Sequence, residues 1–364
     1  MTRTHPPMDS ERLSYYHYGV CILDHVLCEE NEIVFSDFLR LKKIKDISDP
    51  LGVYVLGEDA INSSKALSGR EWNAKISEDR NSIFPPFSPD IMDIGGYSLP
   101  HYRVREHSDC VLESGYAEND PRIWNSRYQE VRDQIVRAVT SIRLLHHSPI
   151  RCLGPITCDT HPAVQHSLPA SPTIGVPAIG GSSSYHEQLF GSIQAGMFVE
   201  IDKNSAKIVK QLFVALGYKL PPWLQISLER LNMAYSRPAT RDQLIDVMIG
   251  LEALYLYGLN AELKFRLAMR AAAHQETDSD MRWNKYREVC FLYDARSRIV
   301  HGGTAELVSL LRKASSPFGT VEELISSSRE ILRKGCCKVL LDYKCADGLG
   351  KDFQDGLDKI VLCH

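Results

Sequence analysis

The chain has 364 residues, 44% of them apolar and 24% charged, with a formal net charge of −4. That length favours two domains over one small core, and the composition is that of an ordinary globular protein. The weak negative charge excludes a general polyanion binder, so any nucleic-acid contact needs a local basic patch.

The opening stretch MTRTHPPMDSERLSYYHYG holds no apolar run of signal-peptide length. The most apolar segment, LIDVMIGLEALYLYGL, is broken by Asp246 and Glu252, so no membrane span is expected. A cytoplasmic protein without membrane contact follows as the expectation. Ten cysteines in a long chain of this kind read as reduced, buried thiols rather than as a disulfide framework, with Cys336 and Cys337 side by side on a helix.

Residues 1–147 read as a mixed α/β N-terminal domain. YYHYGVCIL and LGVYVLG are rich in β-branched and aromatic residues and are predicted strands. In WNSRYQEVRDQIVRAVTSIRLLHH, the positions Val131, Ile135, Ala138, Ile142 and Leu145 recur at helical spacing. No chemical motif stands out in this zone. Pro, Gly and Ser then punctuate the chain so often that 148–203 is predicted to be a connecting region, with short strands at most.

From residue 204 onward the pattern is helix after helix. SAKIVKQLFVALG ends in a glycine fit to stop a helix, and PPWLQISLERLNMAYS begins with prolines suited to a helix start. Periodic segments follow at 239–257, 260–274 and 281–301, and another at 320–343 opens with the capping-box pair Thr320 and Glu323. Short connections favour an antiparallel bundle. The predicted fold class is therefore α+β: a mixed N-terminal region followed by an all-α C-terminal bundle over 204–364.

Several residues in the bundle are candidates for chemistry. On a helix over 239–257, Asp242, Asp246, Gly250 and Ala253 share one side, and Glu252 falls within the apolar arc of Ile245, Met248, Ile249, Tyr255 and Leu256. A carboxylate there is either a structural ion pair or a group that orients an arginine in an active site. On the next helix Arg266, Arg270 and His274 form a stripe, either a solvated face or a positive wall beside Glu252. In LYDARSRIVHGGT, a buried seam is expected at Tyr286, Cys290, Tyr293 and Val300, while Asp294, Ser297 and His301 lie along one face. Arg296 is about 140° from His301 on a regular helix, so the two converge only if the helix end is distorted or two copies of the segment meet. Gly302 and Gly303 place the helix end at His301. Without further information this is either a capped helix end or the working part of the molecule.

Arg296-x4-His301 fits the R-x4-6-H signature of HEPN domains. The ordered segments QLIDVMIGLEALYL, ELKFRLAMRAA and LYDARSRIVHGG resemble the ApeA-like HEPN group across about residues 204–345. The resemblance implies a helical bundle that dimerises and brings two such motifs into one cleft. It also implies a metal-independent endoribonuclease of antiviral-defence or toxin type, with no cofactor. Carried over, His301 is a general acid or base and Arg296 an electrostatic clamp, both catalytic. Glu252, Ser297, Arg298 and Asp294 support the site, and Arg266 and Arg270 bind RNA. The residue after the motif arginine is commonly Asn, Asp or His; here it is Ser297.

These residue types suit that chemistry. Metal-free RNA cleavage needs a group to take the proton of an attacking 2′-hydroxyl and another to stabilise charge on the phosphoryl oxygens. Histidine titrates near neutrality, and arginine presents paired donors to phosphate. The partners expected are RNA, a second copy of the chain and a regulatory protein, the N-terminal domain acting as sensor or substrate selector. The alternative is a non-catalytic HEPN module that binds RNA or a partner protein. A third reading, a metal site from Cys152, Cys158, His161 and His166, has spacing that matches no common zinc module, and no metal is predicted.

Overall fold

The computed structural model describes residues 15–23, 26–43, 110–118, 121–147, 150, 152–160, 173–174, 199–237, 239–302, 304–342 and 349–362. The predicted strand LGVYVLG lies outside them. The layout is α+β, with a small sheet region towards the N-terminus and helices dominating thereafter. Two compact units form, one of residues 1–135 and 152–177, the other of residues 136–151 and 178–364.

In the first unit, strands β1 (Tyr15–Leu23), β3 (Glu32–Val34), β4 (Leu39–Lys43), β5 (Cys110–Glu118), β6 (Cys152–Thr160) and β7 (Thr173–Ile174) make one sheet in the order β3-β4-β5-β1-β6-β7. The short strand β2 spans Val26–Cys28. The pairings around β1, β4 and β5 are antiparallel, and Cys21, Leu112 and Leu41 stand opposite one another across three strands. All three are buried, while Arg40 beside Leu41 is exposed, the alternation of a sheet with one covered face. Helix α1 (Pro121–Leu145) opens in this unit: Val131 is buried, Gln134 accepts a hydrogen bond from Ser36, and Arg127 lies over the Phe38 ring.

The segment CLGPITCDT, predicted to be connection, is the strand β6, paired along most of its length with β1. Its pairing shifts register between Val20 and Ile22, opposite Gly154 and Pro155. Proline has no N–H for the ladder, and an irregular step lets the strand carry it. The Pro and Gly that argued for a loop thus mark a bulge.

In the second unit, after the short strand β8 (Val199–Ile201), come α2 (Lys203–Ala215), α3 (Pro222–Ser236), α4 (Thr240–Leu256), α5 (Leu263–Gln275), α6 (Ser279–Gly302), α7 (Thr304–Leu311), α8 (Val321–Asp342) and α9 (Leu349–Leu362). Helix starts follow the sequence signals. Asp202 caps α2 through Ser205 N at 2.7 Å, and Pro221 and Pro222 open α3. Thr320 Oγ1 accepts from Glu323 N at 3.1 Å while Glu323 Oε2 accepts from Thr320 N at 3.3 Å, a working capping box on α8, and from Gly319 N at 2.7 Å. Gly217 beyond α2 keeps a negative φ, and a Cβ there would first meet the movable end of the Arg137 side chain, 2.8 Å from Nη1.

Helix α4 is the centre of this unit and packs against α3, α5, α6 and α8. Leu244, Val247, Met248, Leu251, Leu254 and Tyr255 are buried around its circumference. Gly250 and Gly335 let α4 and α8 come close: a Cβ on Gly335 would meet Tyr255 Oη at 2.6 Å. Helix α9 closes one end, with Phe353 stacked on Trp223 at 5.1 Å and Gln354 Nε2 donating to Leu254 O at 2.8 Å. Each large apolar side chain so buried contributes about 1.5–3 kcal/mol. Among the described residues no helix is long and apolar enough to cross a membrane. Cys21, Cys28, Cys110 and Cys336 are buried, and burial raises the Cys336 thiol pKa.

Candidate functional site

Helix α6 carries the motif. Its inner seam is Val289, Leu292, Ala295 and Ile299, all buried. The expected seam is corrected: Tyr286, Cys290 and Tyr293 are only half-buried, and Val300 is 53% exposed. That difference is a rotation of the buried side about the helix axis, fixed by α5, α4 and α7 packing against α6.

The helix stays regular through Gly302, so the distorted end that could bring Arg296 and His301 together does not form. Arg296 lies about 40° from Leu292 around the axis, at the flank of the buried side, and His301 lies about 140° from Arg296. Arg296 is half-buried, and its Nε is buried without a hydrogen-bond partner among the described residues. His301 is exposed. Neither has an ion pair among the described residues. The inward guanidinium and the outward imidazole of one chain therefore face different surroundings.

The supporting residues are placed as follows. Asp294 receives Lys264 Nζ on both carboxylate oxygens at 2.7 Å. Arg298 is exposed and lies 3.6 Å from Glu306. Ser297 is half-buried and without a hydrogen-bond partner among the described residues, on the same side of α6 as His301. Glu252 is half-buried and likewise unpaired.

The buried carboxylate of α4 is Asp246, not Glu252. Asp246 is 3% exposed and is held by Arg230 Nη1 at 2.7 Å and Arg237 Nε at 3.1 Å. Helix periodicity assigned Asp246 to the polar side because it assumed a single buried face. With partners on several sides, α4 buries that side also, and two arginines from α3 and its C-terminal end neutralise the charge.

The stripe of Arg266, Arg270 and His274 is neither a solvated face nor a continuous positive wall. Arg266 is half-buried and lies 3.6 Å from Glu262. Arg270 is 4% exposed; it donates to Tyr255 O at 2.8 Å and meets Asp358 of α9 at 2.7 Å. The hydrogen bond from Arg270 holds the Asp358 carboxyl below its usual pKa. His274 is buried, with Nδ1 2.9 Å from Tyr255 Oη, and burial lowers its pKa to about 4. Arg270 and His274 thus serve the packing of α4, α5 and α9, and only Arg266 of the two arginines retains a solvent-accessible position.

Two clusters gave no sequence signal. His147 Nε2 lies 2.7 Å from Ser326 Oγ and Nδ1 lies 3.0 Å from Tyr235 Oη, with Glu330 at 3.6 Å. Burial lowers the His147 pKa to about 4 and raises that of Tyr235 to about 12. Arg333 holds Glu330 at 2.6 Å and donates to the carbonyls of Leu144 and Leu145 at the end of α1. The serine–histidine contact has nucleophile–base length, yet the acid beside it is committed to Arg333, so the cluster acts as a clamp between α1, α3 and α8. The second cluster is aromatic: Trp283 stacks on Tyr286 at 5.5 Å, and Phe265 meets Tyr286 edge-on at 6.3 Å. Helical spacing alone reveals neither, because their members come from different helices or from residues that look individually unremarkable.

Among the described residues no cluster of His, Cys, Asp or Glu is placed to hold a metal ion. Cys152 and Cys158 stand on β6, and His161 and His166 lie outside the described residues. Comparison of the chain with protein-family models, with curated proteins and with solved structures gave no significant match.

Proposed function

We propose that the chain is an endoribonuclease of HEPN type that cleaves RNA by attack of a 2′-hydroxyl on the adjacent phosphate, without a metal. Arg296 and His301 are its catalytic groups. The observation that carries this reading is their shared lack of any ion pair among the described residues, while Asp294, Arg298, Arg266 and Arg270 are all engaged with partners. An unpaired guanidinium and an exposed imidazole are free to meet a phosphate and a hydroxyl proton.

Because α6 is regular, the two groups of one chain diverge, and the reading assigns completion of the site to a second copy. In that arrangement the imidazole of one copy takes the 2′-hydroxyl proton or returns one to the leaving 5′-oxygen. The guanidinium of the other stabilises the charged phosphoryl oxygens. Ser297, beside His301, is positioned to donate a hydrogen bond, and Glu252, unpaired on α4, is a positioning candidate. A cytoplasmic role in antiviral defence or as a toxin belongs to the same proposal.

The test is incubation of wild-type and His301→Ala protein with mixed cellular RNA in EDTA, with the ends mapped. Cleavage by the wild type alone, leaving 2′,3′-cyclic phosphate or its hydrolysis product, is expected. Loss of activity in EDTA, or other product ends, overturns the mechanism. Ser297 at the position following Arg296 favours a second reading, a non-catalytic module that binds RNA or a protein. Binding that is unchanged in His301→Ala, with no turnover, marks that outcome.

A further inference from the structure

The outward side of α6 carries a feature that the cleavage chemistry does not use. Trp283 is 61% exposed although one face of its indole lies on Tyr286, the planes only 14° apart. Phe265 of α5, edge-on to the same tyrosine, is 54% exposed. Leaving two large rings in water around a third is costly unless something covers them.

These rings are continuous with the motif. Trp283, Arg287, Cys290, Asp294, Ser297 and His301 follow one another by steps of four and three, which keeps them on one side of the helix. Trp283 and His301 are about 27 Å apart along the axis. Arg287, one turn beyond Trp283, is exposed and without an ion pair or hydrogen bond among the described residues.

The pattern favours a polynucleotide over a protein occupant. The core of a stable protein interface is depleted of charge. Here an exposed ion pair, Lys264 with Asp294 at 2.7 Å, lies on the same side of the helix between Trp283 and His301. A single strand offers flat bases to the rings and phosphates to the unpaired Arg287. A duplex keeps its bases within its own stack and cannot use the rings.

We infer that Trp283, Tyr286 and Phe265, with Arg287, form a stacking platform for unpaired bases of RNA lying along α6. The substrate class is then single-stranded RNA, an assignment that rests on the ribonuclease reading above. Bases stack on the Trp283 side, Arg287 takes a neighbouring phosphate, and the strand runs towards His301.

The experiment titrates full-length His301→Ala protein with a short oligoadenylate and with an RNA duplex of equal length, reading tryptophan fluorescence and Kd. Quenching by the single strand, with preference over the duplex, is expected. Trp283→Ala removes the quenching and weakens binding about tenfold, Phe265→Ala weakens it less, and Trp283→Phe restores most of it. Arg287→Ala weakens binding and flattens its salt dependence. Circular dichroism establishes that each variant is folded, and Phe265→Ala and Arg287→Ala carry the test where Trp283→Ala does not fold, wild-type affinity in both then overturning the inference.

Absence of RNA binding, equal affinity for strand and duplex, or a Trp283→Ala protein with wild-type affinity overturns the inference. Conversion of a dimer to a monomer by Trp283→Ala at unchanged RNA affinity also overturns it and assigns the rings to a second copy. The ribonuclease reading fails separately: binding with the stated variant pattern but no cleavage by wild type retains the platform and removes the nuclease.

Discussion

Tyr255 Oη and His274 Nδ1 lie 2.9 Å apart in the interior of the helical unit, where both side chains are buried. Burial holds the imidazole neutral, with its pKa lowered from 6.5 to about 4. The unfolded chain binds this proton below about 6.5 and the folded chain refuses it until about 4. The contribution to stability is therefore whole above pH 6.5 and is lost as the pH falls from 6.5 towards 4. The full interval corresponds to about 3 kcal/mol. His274→Gln is expected to flatten the decline of Tm between pH 7 and pH 4.5, with the His147 contribution remaining. An unchanged slope refutes a neutral, buried His274.

The two carboxylates of α4 separate by their stability effects. Asp246→Asn removes the buried charge and turns one of the two oxygens that accept from Arg230 and Arg237 into an NH2 donor; it is expected to cost about 1–3 kcal/mol, moderated by the solvent exposure of both arginines. Glu252→Gln, with no partner to lose, is expected to stay within about 0.5 kcal/mol. Urea unfolding midpoints of the two variants check the order. A reversed order restores Glu252 as the structural charge.

Arg270 and Arg266 are expected to divide in the same way. Arg270→Ala loses its bonds to Tyr255 O and Asp358 and is expected to cost about 2–3 kcal/mol, less than a fully buried pair because Asp358 is mostly in solvent. Arg266→Ala is expected to change Tm little and RNA affinity measurably. Thermal melts and RNA titrations, run side by side, test both, and an undisturbed Tm in Arg270→Ala contradicts its placement.

At the start of α8, Thr320→Ala removes the acceptor for Glu323 N and is expected to cost about 1 kcal/mol. Thr320→Ser retains the hydroxyl and most of the stability. Denaturation curves for the two variants give the comparison, and equal losses argue against the cap.

For catalysis, His301→Ala and Arg296→Ala are each expected to lower RNA cleavage by about two orders of magnitude or more while leaving the fold intact. Mixing the two inactive variants is the sharper measurement. A site shared between copies regains one intact Arg296–His301 pair in mixed dimers, and activity returns in part; a site within one chain recovers nothing.

Where one physical signal dominated, the sequence was sufficient. Strand β1 and the spans of α4, α5, α6 and α8 follow from short-range periodicity, turn residues and caps, which depend on neighbours within a few positions. The divergence of Arg296 and His301 also follows from the helix repeat alone, and the regular end of α6 leaves it in place. Tertiary structure alone decided which charges are inside. Asp246 is buried because α4 has partners on several sides, Arg270 because α9 arrives from far along the chain, and β6 is a strand because β1 supplies its ladder. Periodicity describes one helix against one core, whereas burial depends on every element that packs around it.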